Sequence, residues 1–122
     1  MTQAIILNDV DRVQRCFDDL ASIVTLRPVD WRQRYLAFRQ DVNATLARLS
    51  AATAAGTDVD PAIRPLVVRL NHLMSLHQAE WPVVGIDLDD RTYVASRETI
   101  VGVVASLVSA ARGMRTQARA SS

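Results

Sequence analysis

Four stretches of the chain repeat apolar residues at three- and four-residue spacing, the period of a helix packed along one face. The first is carried by Val10, Val13, Phe17, Leu20, Ala21 and Val24. Asn8 is a good N-cap, and Asp9 and Asp11 would put negative charge in a first turn, so this helix is predicted to begin near Asn8. Pro28 forces its end near Leu26. The second helix is predicted to start after Asp30 and has the cleanest stripe: Trp31, Tyr35, Phe38, Val42, Leu46 and Leu49. Arg32, Gln33, Arg39, Gln40 and Asn43 fall mostly on its other side, and Gly56 is well placed as the residue just past its end.

The third stripe is Ile63, Leu66, Val67, Leu70, Leu73, Met74, His77 and Trp81, stopped by Pro82. Asp60 can cap it and Pro61 can sit at its first position. Pro65 lacks the N–H that would bond back to residue 61, so either the first turn is irregular or the helix proper begins near Pro65. The fourth helix is predicted to begin between Asp89 and Thr92, with Tyr93, Ile100, Val103, Val104, Leu107, Val108, Ala111 and Met114 as its apolar face. The polar tail from about residue 115 is expected to fray. Between the last two helices, Val83, Val84, Ile86 and Leu88 are too apolar to hang in water. They predict an apolar, extended connection lying across the bundle, with Gly85 allowing a bend. Asp87, Asp89 and Asp90 then supply helix-start chemistry. Residues 1–122 thus read as one all-α domain, an antiparallel four-helix bundle of up-down topology.

The first two helices have clear polar backs; the last two do not. Val68 and Leu76 lie opposite the core face of the third helix. The back of the fourth carries Ala95, Thr99, Gly102, Ala105, Ser106 and Ser109, with no charge between Glu98 and Arg112. A helix apolar or small nearly all round is usually buried on more than one side. Val68, Leu76, Gly102 and Ser106 are therefore expected to line an interface, with a homodimer or a helical protein partner as its occupant.

Composition narrows the partners. The formal net charge is +1, which gives no global electrostatic case for nucleic acid or an anionic membrane. All 14 basic residues are arginine, a usage that fits a bacterium with a GC-rich genome. Aromatics make up only 5%, so the core is expected to consist of Val, Leu, Ile and Ala. The single cysteine, Cys16, excludes an intrachain disulfide and suits a reducing compartment. The uncharged run Thr99–Ala111 falls short of the ~20 residues that span a bilayer. The N-terminus lacks the pattern of a secretory signal, and a cytoplasmic location is expected.

Chemistry-bearing residues are few. Two histidines and two glutamates cannot build a carboxylate-bridged diiron or haemerythrin-like centre, and no metal or other cofactor is expected. Counting from Asp87, the run "DLDD" has Thr92 where a calcium loop needs glycine, and Glu98 at its twelfth position does not rescue the spacing. No glycine-rich phosphate loop and no Ser-His-Asp arrangement is present. The leading expectation is a non-enzymatic interaction module that self-associates or binds a helical partner. Two alternatives stand beside it. One is a histidine phosphotransfer intermediate using His72, although the Lys-Gly of such domains is missing from "HLMSLHQAEW". The other is a bundle binding a small apolar ligand in a pocket at His77, Trp81 and Ile86.

Overall fold

The computed structural model describes residues 2–56 and 59–121. It consists of α1 (Thr2–Leu26), α2 (Trp31–Ala55), α3 (Ile63–Glu80), a single 3-10 turn at Val83–Gly85, and α4 (Arg91–Ser121). Contacting pairs descend on one helix as they climb on the next. Asp9, Arg12 and Phe17 of α1 meet Arg48, Asp41 and Phe38 of α2. Asn43 and Ser50 meet Gln78 and Asn71 of α3, and Asp11 pairs with Arg115 of α4. Helix α1 packs on α2 and α4, and α3 packs on the same two, so α2 and α4 lie diagonally across the bundle.

Helix α1 begins at Thr2, upstream of the expected start, so Asn8, Asp9 and Asp11 are interior residues rather than caps. Burial decides this. Ile6 is wholly buried and continues the stripe of Val10, Val13, Phe17 and Leu20 by another turn. Cys16 and Ile23 complete the buried face, whereas Ala21 is exposed and Val24 half-buried on the edge toward α4. At the other end, Arg27 has φ 46°, a left-handed conformation that closes the helix just before Pro28. Its guanidinium donates to the carbonyl of Val24 (3.0 Å) and to Asp89 at the start of α4 (2.8 Å).

The second helix has the predicted bounds, but Asp30 does not cap it. Its carboxylate pairs with Arg34 at 2.9 Å, and Trp31 donates its N–H to the carbonyl of Pro28. The uncertainty over two prolines resolves at Ile63. Asp60 accepts the N–H of Ala62 on its carboxylate (2.8 Å) and that of Ile63 on its carbonyl (3.0 Å). Pro65 then falls in the first turn, where an N–H has no helical partner to lose. The start of α4 is capped by Asp90, whose carboxylate accepts the N–H groups of Thr92 (2.9 Å) and Tyr93 (3.0 Å). The tail expected to fray is helical to Ser121, and Arg115 anchors it to Asp11 at 2.7 Å.

The connection between α3 and α4 is a compact turn rather than an extended strap. Only its flanks, Pro82 and Ile86, have extended backbone. Ile86 and Leu88 are buried as their hydrophobicity requires, while Val84 stays exposed. Gly85 has a negative φ and open space where a Cβ would stand, so the bend does not depend on glycine. What holds the turn is Arg32 of α2, which donates to the carbonyls of Val83 (2.6 Å), Val84 (3.1 Å) and Ile86 (3.1 Å).

The core is aliphatic at one end only. All six aromatic residues form one network at the other. Phe17 meets Phe38 edge-on at 5.2 Å; Phe38 meets Tyr35, and Tyr35 meets Trp31. Trp81 and Tyr93 pack together with His77. The two groups are tied by the hydroxyls of Tyr35 and Tyr93, 2.6 Å apart. Within α4, Arg91–Gln117 is long and apolar enough to cross a membrane by length and composition, a wider stretch than the uncharged run alone; the core helix of a bundle passes the same test.

Phe38 is the hub of the first aromatic group and is 6% exposed. Phe38→Ala is expected to lower unfolding free energy by ~3–5 kcal/mol, because the cavity cannot collapse between edge-packed rings. Urea denaturation checks this; a loss under ~1 kcal/mol means that Phe38 is not a core residue.

Candidate functional site

The aromatic end holds most of the buried polar chemistry, and a short repeated pattern places it. "YLAFR" (35–39) on α2 and "YVASR" (93–97) on α4 each set a tyrosine four residues before an arginine, on one edge of a helix. Each guanidinium lies over its own tyrosine ring, Arg39 at 5.0 Å from Tyr35 and Arg97 at 5.3 Å from Tyr93. Because α2 and α4 are diagonal, the two tyrosine hydroxyls meet in the interior.

His77 of α3 lies beside both arginines. Its Nδ1 is 2.7 Å from the Ser96 hydroxyl, and its ring packs between Trp81 (5.1 Å) and Tyr93 (5.3 Å). Burial, then the charges of Arg39 and Arg97, depress its pKa to about 4, so the imidazole is neutral. Such a weak base beside two cations is a poor proton acceptor, and the His77–Ser96 bond reads as structural. Burial likewise pushes the Tyr35 hydroxyl well above the ordinary phenol range.

The charge of this cluster is unbalanced. Arg39 is 7% exposed and donates to the carbonyl of Trp81 at 2.5 Å, but its Nε has no hydrogen-bond partner. Nη1 of Arg97 is buried and also unpartnered. Among the described residues, neither guanidinium pairs with a carboxylate. A buried and a half-buried cation side by side without a counter-charge are costly. The arrangement can therefore attract an anion. Arg39, which the helical pattern assigns to the polar side of α2, is the residue that sequence reasoning misplaced.

Both arginines line a cavity of about 10 Å³ together with His77, Tyr35 and Met74. Arg97 also lines a groove of about 500 Å³ between α1 and α4. Phe17, Leu20, Val24, Val104 and Val108 form the apolar part of that groove, and Arg112 lies toward its far end. A second groove, of about 450 Å³ between α1 and α2, is lined by Cys16, Asp19 and Asp41 among others. Burial raises the Cys16 thiol to about 11, which leaves it protonated and unreactive at neutral pH.

His77 and Ile86 are buried and Trp81 half-buried. Of the three, His77 lines the small cavity it shares with Arg39 and Arg97. Val68 and Leu76 are 64% and 56% exposed, and Gly102 and Ser106 are exposed too. By helical spacing Leu76 lies on the edge of α3 next to α4. Val68 lies on the other edge, beside Arg64 and Asn71, which reach α2. Eight residues apart, Val68 and Leu76 stand about 80° from each other around the exposed side of α3. His72 is exposed on α3. The three aspartates after Ile86 are all accounted for: Asp87 accepts the N–H of Asp89, Asp89 pairs with Arg27, and Asp90 caps α4. No metal-binding group of side chains occurs among the described residues. In comparisons with known proteins, no family model, curated protein or solved structure matches this chain.

The depressed pKa of His77 sets a pH dependence. The unfolded chain binds a proton at this histidine near 6.5, the folded protein only near 4. Stability from this group is therefore intact above about 6.5, falls as the pH drops toward 4, and levels off below, by ~3 kcal/mol in all. His77→Gln keeps a hydrogen-bonding side chain without this titration. Urea denaturation of both proteins at about pH 7.5 and about pH 4.5 should show the wild type losing more than the variant. An equal loss would mean that His77 is not held neutral.

Proposed function

We propose that this chain is a non-enzymatic interaction module whose docking surface is the outward face of α4, with a second copy of the chain as its occupant. The observation that carries this reading is the character of that face. From Thr99 to Ala111 the helix has no charged residue, yet Thr99, Gly102, Ala105, Ser106 and Ser109 are all exposed and Val101 is 44% exposed. Two of its three hydroxyls are also bonded back onto the helix. Thr99 donates to the carbonyl of Ala95 (3.0 Å) and Ser106 to that of Gly102 (3.2 Å). The face therefore has little left to offer water. Small side chains let a second helix approach closely, and a formal charge of +1 puts little repulsion between two copies. Leu76, on the adjoining edge of α3, extends the face; Val68 lies outside it.

Gly102 gives a clean test. Nothing lies within 4 Å of the position its Cβ would take, so Gly102→Arg leaves the protomer fold intact. It would place an unpaired charge between two closely packed helices and should weaken self-association at least tenfold, which sedimentation equilibrium measures. Gly102→Ala should stabilise the protomer by up to ~1 kcal/mol and perturb association far less. A wild type that sediments as a monomer at all accessible concentrations rejects the homodimer.

A further inference from the structure

We propose that the groove between α1 and α4 is a binding site for a long-chain aliphatic carboxylate, its acid group held by Arg97 and its chain lying along Phe17, Leu20, Val24, Val104 and Val108. This groove adjoins the outward face of α4 and shares Val101, Ala105 and Ser109 with it, but the inference is carried by Arg97 and the α1–α4 walls and does not rest on self-association.

Three observations converge on that ligand. The groove measures about 500 Å³, within the range of small-molecule sites, and its walls are mainly apolar. It ends on Arg97, which pairs with no carboxylate among the described residues. Its Nη1 is buried on the inner side, out of reach of the groove, so its other nitrogens would meet a ligand, with Arg39, more than nine-tenths buried, standing behind. The two arginines share the lining of the small cavity, so a carboxylate at Arg97 also offsets the charge of Arg39. A planar guanidinium matches a carboxylate in two parallel hydrogen bonds. The third observation is shape. The groove follows α4 from Arg97 to Arg112, roughly 22 Å at the ~1.5 Å rise of a helix, so it suits a long, narrow apolar body rather than a compact one. The single carboxylate of the lining, Asp18, is exposed and leaves the Arg97 end cationic.

The ordinary pattern of a helix core supports the same assignment from the sequence side. Ala21 and Val24 continue the apolar surface of α1 beyond what the bundle buries, and Val101 and Val108 do so on α4. The two surplus edges face each other across the groove.

Isothermal titration calorimetry with tetradecanoate below its micelle-forming concentration tests the proposal. The comparison ligands are tetradecanol and the tetradecyl trimethylammonium cation. The acid should bind at least about tenfold more tightly than the alcohol, and the cation more weakly than either. Arg97→Gln should bring the acid down to the affinity of the alcohol. Ala105→Trp, an exposed groove-lining position, should weaken all of them by occupying the site, and it decides the matter if the arginine variant does not fold. Absence of binding overturns the proposal, as does equal affinity for the three head groups. Indifference to both substitutions, or binding seen only with micelles or anionic vesicles, overturns it as well.

Discussion

Guanidinium groups reaching backbone carbonyl oxygens hold the helix ends of this bundle. A helix leaves its last carbonyls unbonded at the negative end of its dipole. Here arginine supplies the missing donors three times. Arg27 reaches Val24 at the end of α1, Arg64 reaches Thr53 and Gly56 at the end of α2, and Arg39 reaches Trp81 at the end of α3. Arg32 extends the same chemistry to the α3–α4 turn, where one side chain serves three carbonyls. Bonding several oxygens at once uses the fixed fork of a guanidinium; a lysine ammonium, a single point on a flexible stem, fits the task less well. With the turn pinned, Ile86 and Leu88 enter the core, Asp90 caps α4, and Tyr93 is delivered to Tyr35.

This solution has an electrostatic cost that shapes the rest of the aromatic end. Arg39 enters the interior to serve a carbonyl and not a carboxylate, so its charge comes without an opposite one. Arg97 is drawn into the same region by its stacking on Tyr93. The neighbouring imidazole responds by staying neutral, while burial, against the pull of Arg39, raises the Tyr35 hydroxyl. The aliphatic end holds one comparable group, Asp9, which is buried with one oxygen unpartnered and the other 3.5 Å from Arg48. Its buried hydroxyls, those of Thr45 and Thr53, are bonded back onto their own helix.

Much of this architecture is legible in the sequence because it is local. Pro28, Gly56, Pro82 and Asp90 mark helix boundaries through their own backbone chemistry, and three of the four apolar stripes give the buried faces closely. The start of α1 is misread because a sound capping signal at Asn8 competes with the burial of Ile6, and burial decides. Arg39 is misread for a different reason. Its position, next to Phe38 and one turn after Tyr35, lies at the margin of the stripe, and its role depends on the carbonyl of a residue 42 positions away. The repeat of tyrosine and arginine at fixed spacing is visible in the letters. Its meaning is not, because that needs α2 and α4 to be diagonal neighbours.

The gathering of the aromatic rings also determines how this protein appears to light. Trp31 and Trp81 both stand at the end that the α3–α4 turn closes, one beneath the guanidinium of Arg32 at 4.3 Å and the other against His77. Tryptophan emission is consequently a local signal, sensitive to that turn and to the protonation of one imidazole. The opposite end, from Ile6 through Leu49 and Val67 to Met114, contains no chromophore of this kind. Loosening that began there would be silent in fluorescence and visible in circular dichroism, so a gap between the two traces would locate which half of the bundle gives way first.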